Sequence, residues 1–163
     1  MAYSTPATLA SGATLPAATM NTRRDALETV AKPPQIQAYS TGNQSTANNT
    51  TAQLTLAATY TIRDMSLATS EVTVTEAGLY LIVVNVDWAI NATGLRYVGI
   101  LVNGTVSRED HKMPNASFVT GQNVPYITTL GATDTVKVNV YQNSGGSLNA
   151  NQGSRLSICL LSR

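Results

Sequence analysis

The chain of 163 residues carries few charges, 12% of its residues, and its formal net charge is +1. This composition excludes the basic surface that nucleic-acid binding requires, and the single cysteine excludes an intrachain disulfide and a cysteine-based metal site. No apolar run approaches the ~20 residues that span a bilayer. The N-terminus lacks the basic start and apolar segment of a secretory signal, so we expect no export by that route.

The N-terminal region predicts an arm followed by one short helix. The first 20 residues are mainly Ala, Ser, Thr, Gly and Pro, which cannot bury a core alone, so this arm should be ordered only on a partner surface. The stretch Asn21–Ala31 predicts a helix that Asn21 or Thr22 caps and that Pro33 and Pro34 end. Its apolar stripe is thin, so the helix either docks on a partner or is a frayed linker.

The central element is the stretch Gly78–Ile90, which alternates with the period of a β-strand. Its even-numbered side chains, from Tyr80 onward, form an apolar core face. Its odd-numbered side chains, from Leu79 onward, form a second face that is apolar at first and polar later. Because β-branched and aromatic residues dominate, the run favours a strand over a helix. The apolar part of the second face predicts a further contact, such as another subunit.

Short strands separated by turn residues continue to the C-terminus. The Asn103-Gly104 pair predicts a tight hairpin. About nine or ten strands without an intervening helix predict an all-β antiparallel sandwich or jelly roll, between which spacing does not choose. The other predicted strands are Gln35–Ser40, Leu54/Leu56, Tyr60/Ile62, Val72/Val74, Leu95–Val102, Thr105–Arg108, Ser117–Leu130, Asp134–Tyr141 and Ser154–Leu161. The predicted loops are Thr41–Thr51, Asp64–Ser70, Asn91–Gly94, Glu109–Ala116 and Asn143–Gln152.

Candidate catalytic and metal-binding residues are sparse. His111, the only histidine, is a conceivable base or zinc ligand, but a solvated loop explains it better because no partner residues accompany it. The carboxylates of Asp64, Asp87, Asp110 and Asp134 can ligate calcium, yet no calcium-loop motif surrounds them, so we interpret them as turn residues. We therefore expect no enzymatic activity, no cofactor and no metal.

Four stretches, in this order, carry a family resemblance: EAGLYLIVVNVDW, RYVGILVNGT, GATDTVKVNVYQNSGGSLN and SRLSICLL. Together they resemble the C1q and tumour-necrosis-factor-like family, in the branch found on bacteriophage and bacterial surface proteins. Gly78 and Tyr80 match the family's Gly-x-Tyr strand, whereas Ile82 and Val84 replace its usual aromatics. The resemblance covers residues 34 to 163. It implies a C1q/TNF-like antiparallel jelly-roll sandwich that forms a tight homotrimer without enzymatic activity.

The implied trimer packs its inner sheets about one axis. Cys159 lies on the face opposite Leu156 and Ile158, so it is either an ordinary buried residue or a residue near the subunit interface, and we predict the latter. The tyrosines on non-core sides of strands are further candidates, although ordinary surface positions explain them equally well. The predicted interface residues are Leu79, Leu81, Val83, Tyr97, Tyr126, Tyr141, Cys159 and Leu161.

The resemblance and the arm lead to a functional hypothesis in which residues 1–33 anchor the chain and residues 34–163 form the trimer. We expect a bacteriophage virion protein that decorates or cements the capsid surface, binds the major capsid protein and assembles in the host cytoplasm, without nucleic-acid or membrane partners. The alternative is a tail-fibre or head-fibre module that recognises a receptor or carbohydrate through its loops. The predicted anchoring residues are Tyr3, Leu9, Leu15, Met20, Arg23, Arg24, Leu27 and Val30.

Overall fold

The computed structural model describes residues 16–163, in which the chain divides after Lys32 into two compact units. The first contains one helix, α1 (Ala17–Ala31), which begins earlier than the predicted start at Asn21. Alanine is the strongest helix former, so Ala17 and Ala18 extend the helix backwards. Thr22 therefore lies inside the helix and does not cap it. Its hydroxyl donates to the carbonyl of Ala18 at 2.9 Å.

The second unit, residues 33–163, is a sandwich of two sheets whose described strand pairs are all antiparallel. The first sheet contains β1 (Gln35–Tyr39), β2 (Gln44–Thr46), β4 (Ala58–Arg63), β7 (Gly78–Trp88), β10 (Thr120–Leu130), β12 (Leu148–Ala150) and β13 (Arg155–Ser162). The second sheet contains β3 (Thr50–Gln53), β5 (Met65–Ala68), β6 (Glu71–Val74), β8 (Arg96–Val102), β9 (Thr105–Lys112) and β11 (Thr135–Gln142). The predicted all-β jelly-roll sandwich is confirmed.

Strand β7 lies at the centre of the first sheet, between β10 on one side and β13 and β12 on the other. Its even-numbered side chains from Tyr80 to Trp88 are fully buried, as the alternation predicts. They pack in one core with the inward valines of β11 and the inward side chains of β13. Ile90 is the exception among the even-numbered residues, because β7 ends at Trp88 and leaves Ile90 exposed in the following loop.

Four of the predicted loops contain strands. The region Thr41–Thr51 contains β2, Asp64–Ser70 contains β5, the start of Glu109–Ala116 belongs to β9, and Asn143–Gln152 contains β12. These strands are short or polar, and a partner strand determines each of them rather than local alternation. Leu54 and Leu56 show the reverse case, since both are buried although they lie outside regular strands.

The Asn103-Gly104 hairpin between β8 and β9 is confirmed. Asn103 has φ 50° and Gly104 has φ 79°, the positive pair that a type I′ turn requires. The Asn103 side chain donates from Nδ2 to Asp134 Oδ1 at 2.8 Å and accepts at Oδ1 from the Thr135 amide at 2.9 Å. The Gly131 amide donates to Asp134 Oδ2 at 2.7 Å. Asp134 therefore links two turns at this end of the sandwich.

The stabilising contribution of the Asp134 carboxylate should be lost in acid. The hydrogen bonds from Asn103 and from the Gly131 amide hold the pKa of Asp134 below its usual 3.8. A carboxyl group whose pKa is lowered by folding stabilises the protein at pH values above its unfolded-state pKa. This contribution is lost as the pH falls through the folded-state pKa. Urea unfolding should show that Asp134→Ala is less stable than the parent at about pH 7, with a smaller gap at about pH 2. A gap independent of pH would contradict this assignment.

Candidate functional site

The solvent-facing side of the first sheet carries a contiguous apolar surface on its central strands. In the strand register Leu81 lies between Ile127 of β10 and Cys159 of β13. Leu79 is 36% exposed and Ile127 is 59% exposed, whereas Leu81, Val83 and Cys159 are partly buried. A shallow groove of about 210 Å³ runs beside Leu81, Val83 and Cys159. We call Leu79, Leu81, Val83, Ile127 and Cys159 the outer patch.

The same face becomes polar towards the C-terminal end of β7, as the sequence predicts. Beyond Val83 the next outward residues of β7 are Asn85 and Asp87. Asn85 has Asn123 of β10 on one side and Arg155 of β13 on the other. The outer face therefore has an apolar half and a polar half.

A polar cleft adjoins the polar half, where β9 of the second sheet meets β7 and β10 of the first. Its volume is about 480 Å³, and among the hydrogen bonds that join the two sheets here is one from Lys112 Nζ to the Gly121 carbonyl at 2.6 Å. A second hydrogen bond joins neighbouring strands, from Asn123 Nδ2 to Asn85 Oδ1 at 2.5 Å. The residues that line this polar cleft are Asn85, Asp87, Asp110, Lys112, Gly121, Gln122 and Asn123.

A buried side-chain network supports the polar cleft from the core. The indole Nε1 of Trp88 donates to Gln122 Oε1 at 2.8 Å. The Gln122 Nε2 donates to Asp110 Oδ2 at 2.9 Å and to the Asp110 carbonyl at 3.1 Å. Gln122 is 3% exposed and Trp88 is fully buried, so this network is rigid and fixes the orientation of the Asp110 carboxylate.

Arg96 is a second polar group in the core near this end of the sandwich. Its guanidinium donates from Nη1 to the carbonyls of Thr93 and Leu95 and from Nη2 to that of Asn91, at 3.0 to 3.2 Å. Burial lowers the pKa of Arg96. Its Nε has no hydrogen-bond partner in the described part of the chain. Arg96 thus holds the loop after β7 closed.

The predicted interface residues do not all share one surface. Leu79, Leu81, Val83 and Cys159 lie together in the outer patch. Leu161 lies at a register shift near the end of β13 and is half exposed. The sequence did not predict Ile127 as part of this surface, because Pro125 obscures the alternation of β10. Ile127 lies opposite Leu81 and is one of the most exposed members of the outer patch.

The three tyrosines lie outside the outer patch, so the structure does not bring them onto one surface with Leu81 and Cys159. Tyr97 and Tyr141 are cross-strand partners on the solvent face of the second sheet. Tyr97 contacts His111 edge to face at 5.0 Å between ring centroids. Tyr126 packs against the core, being opposite the buried Ile82. The side of a strand is predictable from alternation, whereas the sheet to which the strand belongs depends on distant pairing.

The candidate ligand residues are also placed differently from the prediction. His111 lies in β9 rather than in a loop, and its Nε2 is 3.5 Å from Glu109 Oε1 on an exposed surface. Asp64 and Asp134 lie at turns as predicted, but Asp87 and Asp110 lie in strands and line the polar cleft. Within residues 16–163 no three His, Cys, Asp or Glu side chains are grouped as a metal site would require.

Some of the predicted anchoring residues lie on α1. Met20 and Leu27, about two turns apart, are 56% and 70% exposed, and Arg23 and Arg24 are exposed as well. The side chain of Val30 is outside the described part of the structure, as are Tyr3, Leu9 and Leu15. The helix has neither the length nor the apolar content to cross a bilayer, which holds for every helix among the described residues.

Comparison with known proteins gives a structural match but no sequence match. No family model matches the chain, and no curated protein matches it in sequence. Among solved structures, the Eiger TNF from S. frugiperda is similar with a TM-score of 0.61 at 13% identity, over 79% of this chain and 94% of that one. An identity this low carries information on fold alone. The chain thus has a TNF-like antiparallel jelly-roll fold.

Proposed function

We propose that the chain is a non-enzymatic structural protein of a bacteriophage virion. It forms a homotrimer that decorates the capsid surface and is held there by its N-terminal arm and helix. The observation that carries the proposal is the outer patch, an apolar surface beside a polar one on the same face of the first sheet. The bacteriophage assignment rests on the family resemblance of the sequence, and the TNF-like fold is consistent with that resemblance.

The outer patch supports assembly through the first sheet. Leu79 and Ile127 are exposed on the central strands of that sheet, and removing such large apolar side chains from water would stabilise an assembly. Contiguous apolar surfaces of this kind mark protein contacts. We propose that the partners are other copies of this chain. The C1q and TNF resemblance implies an assembly of three chains. Cys159 and Val83 would then lie at or near the threefold contact.

The position of the chain entry supports attachment through the N-terminal segment. The Leu160 amide donates to the Pro34 carbonyl at 3.0 Å, so the chain enters the jelly roll beside the start of β7. The polar cleft lies at the other end of β7, about 23 Å away at the usual strand rise. In a trimer all three N-terminal segments would leave from one end. Three weak contacts with the major capsid protein then add through avidity.

Deleting residues 1–32 should weaken capsid binding by at least about a hundredfold while the jelly roll stays folded and trimeric, because avidity from three anchors is lost. Cosedimentation with capsids that lack this chain measures binding, and sedimentation velocity measures assembly. Leu27→Asp in the full chain tests the exposed side of α1, with Val106→Asp on β9 as the matched control. Undiminished binding of the truncated protein would exclude the arm as the anchor.

The polar cleft favours a second candidate function, a head-fibre or tail-fibre module that binds a host receptor or carbohydrate. The sequence places such a site in the loops, yet the cleft is built mainly from the strands β7, β9 and β10. Binding of the purified protein to host cells, competed by soluble cell-surface polysaccharide, tests this candidate. Capsid attachment and receptor binding are compatible, because the chain entry at Pro34 and the cleft lie at opposite ends of the jelly roll.

A further inference from the structure

We infer that the polar cleft is a saccharide-binding site, in which the hydroxyl groups of the sugar bond to carboxylate and carboxamide groups on β7, β9 and β10. This inference deepens the second candidate function and does not depend on attachment to a capsid.

The lining groups are held in position before any ligand arrives. Gln122 is buried and orients the Asp110 carboxylate from below, at 2.9 Å. Asn123 and Asn85 orient each other, and Lys112 is held by the Gly121 carbonyl. Because these side chains stand on paired strands, few rotamers have to be ordered on binding. That preorganisation reduces the entropic cost of a weak polar ligand.

The same groups keep unused hydrogen-bonding capacity. Asp110 uses only Oδ2 towards Gln122, which leaves Oδ1 for a ligand. The amide pair leaves Asn85 Nδ2 and Asn123 Oδ1 available, a donor beside an acceptor. The Asp87 carboxylate has no hydrogen-bond or ion-pair partner among the described residues, although the Asp87 carbonyl accepts from the Asn151 amide. Vicinal hydroxyls, each both a donor and an acceptor, match such a row of planar polar groups.

The chemistry of the cleft argues against other ligand classes. A phosphate or nucleotide is disfavoured because Asp87 and Asp110 outnumber the single cation, Lys112, which already bonds the Gly121 carbonyl. A divalent cation is disfavoured because Asp87 and Asp110 are the only carboxylates in the lining, and no three His, Cys, Asp or Glu side chains are grouped among the described residues. The lining is polar throughout, which does not suit an apolar molecule. A volume of about 480 Å³ lies within the range typical of ligand sites.

The position of the cleft leaves it accessible in the proposed trimer. It lies beside the polar half of the outer face, beyond Val83, whereas the outer patch occupies the other half. It also lies at the end opposite to the chain entry at Pro34. A trimer that packs through the outer patch would therefore carry three copies of the site at its free end.

Nuclear magnetic resonance of the full chain tests the site directly. The probes are glucose, galactose, N-acetylglucosamine and rhamnose, followed by an array of immobilised bacterial surface oligosaccharides. We expect at least one probe to shift the side-chain amide signals of Asn85 and Asn123. The signal of Asn139, which lies on the solvent face of β11, should stay in place. Asn123→Ala and Asp87→Ala should each weaken the binding by about tenfold or more, and Asn139→Ala should leave it unchanged.

Three outcomes would overturn the inference. The first is the absence of any shift or array signal, and the second is a set of shifts located elsewhere on the protein. The third is binding of a lysine-rich peptide alone, which would make the cleft an acidic peptide site. Sedimentation of the same variants separates this inference from the trimer proposal. If Asn123→Ala dissociates the trimer, the cleft is a subunit contact and not a sugar site.

Discussion

Val83→Asp should dissociate the assembled protein into single chains. Val83 lies between Pro125 and Ser157 in the outer patch, and its side chain is partly buried even in the isolated chain. In a trimer packed through this face, the new carboxylate would be removed from water without a partner, which costs several kcal/mol. Sedimentation equilibrium should show a fall from about three times the chain mass to 17.2 kDa.

The matched control is Val106→Asp, which places the same change at an exposed valine on β9. This variant should remain assembled, since Val106 lies outside the outer patch. Both variants should keep the far-ultraviolet circular dichroism of a β protein. A parent protein that already sediments as a single chain, or a Val83→Asp variant that stays trimeric, would defeat assembly through this face.

Trp88→Ala should cost more folding stability than any other single change considered. The indole ring is fully buried at the end of β7, and truncation of a core tryptophan typically costs about 3 to 5 kcal/mol. The change also removes the donor to Gln122 Oε1, which leaves a buried acceptor unsatisfied. Urea unfolding followed by far-ultraviolet circular dichroism measures the loss. Fluorescence is unsuitable because Trp88 is the only tryptophan.

Trp88→Phe separates the two contributions. It keeps an aromatic ring in the core but removes the Nε1 donor, so its loss should be intermediate. Equal losses for both variants would show that the hydrogen bond to Gln122 dominates. A stability unchanged in Trp88→Ala would mean that this end of the sandwich is loosely packed, contrary to the structure.

The alternation of β7 made the centre of the fold predictable. In a strand, successive side chains point to opposite faces, so Tyr80 and Ile82 had to share a side, and their apolar character identified that side as the core. The outer patch on β7 followed from the same rule. Tyr97 and Tyr141 were predictable only as non-core residues, because the sheet that holds β8 and β11 is determined by pairing with distant strands.

The polar cleft could not be derived from the sequence for the same physical reason. Asp110 lies in β9, a strand whose one apolar residue is Val106 and which shows no alternation, so the sequence placed Asp110 in a loop. The approach of Asn123 to Asn85 depends on the register between β7 and β10. These two strands are separated in sequence by β8, β9 and the following loop. The one local signal was the change from apolar to polar residues on the outer side of β7.

The hairpin at Asn103-Gly104 bears on the chemical ageing of the protein. Asparagine followed by glycine is the pair most prone to deamidation, in which the glycine amide nitrogen attacks the side-chain carbonyl carbon and expels ammonia to give a succinimide, which water opens to aspartate or isoaspartate. Here the side chain is held away from that attack by Asp134 and by the Thr135 amide. The folded chain should therefore resist the reaction, and newly formed aspartate at this site would record how long a sample has spent unfolded.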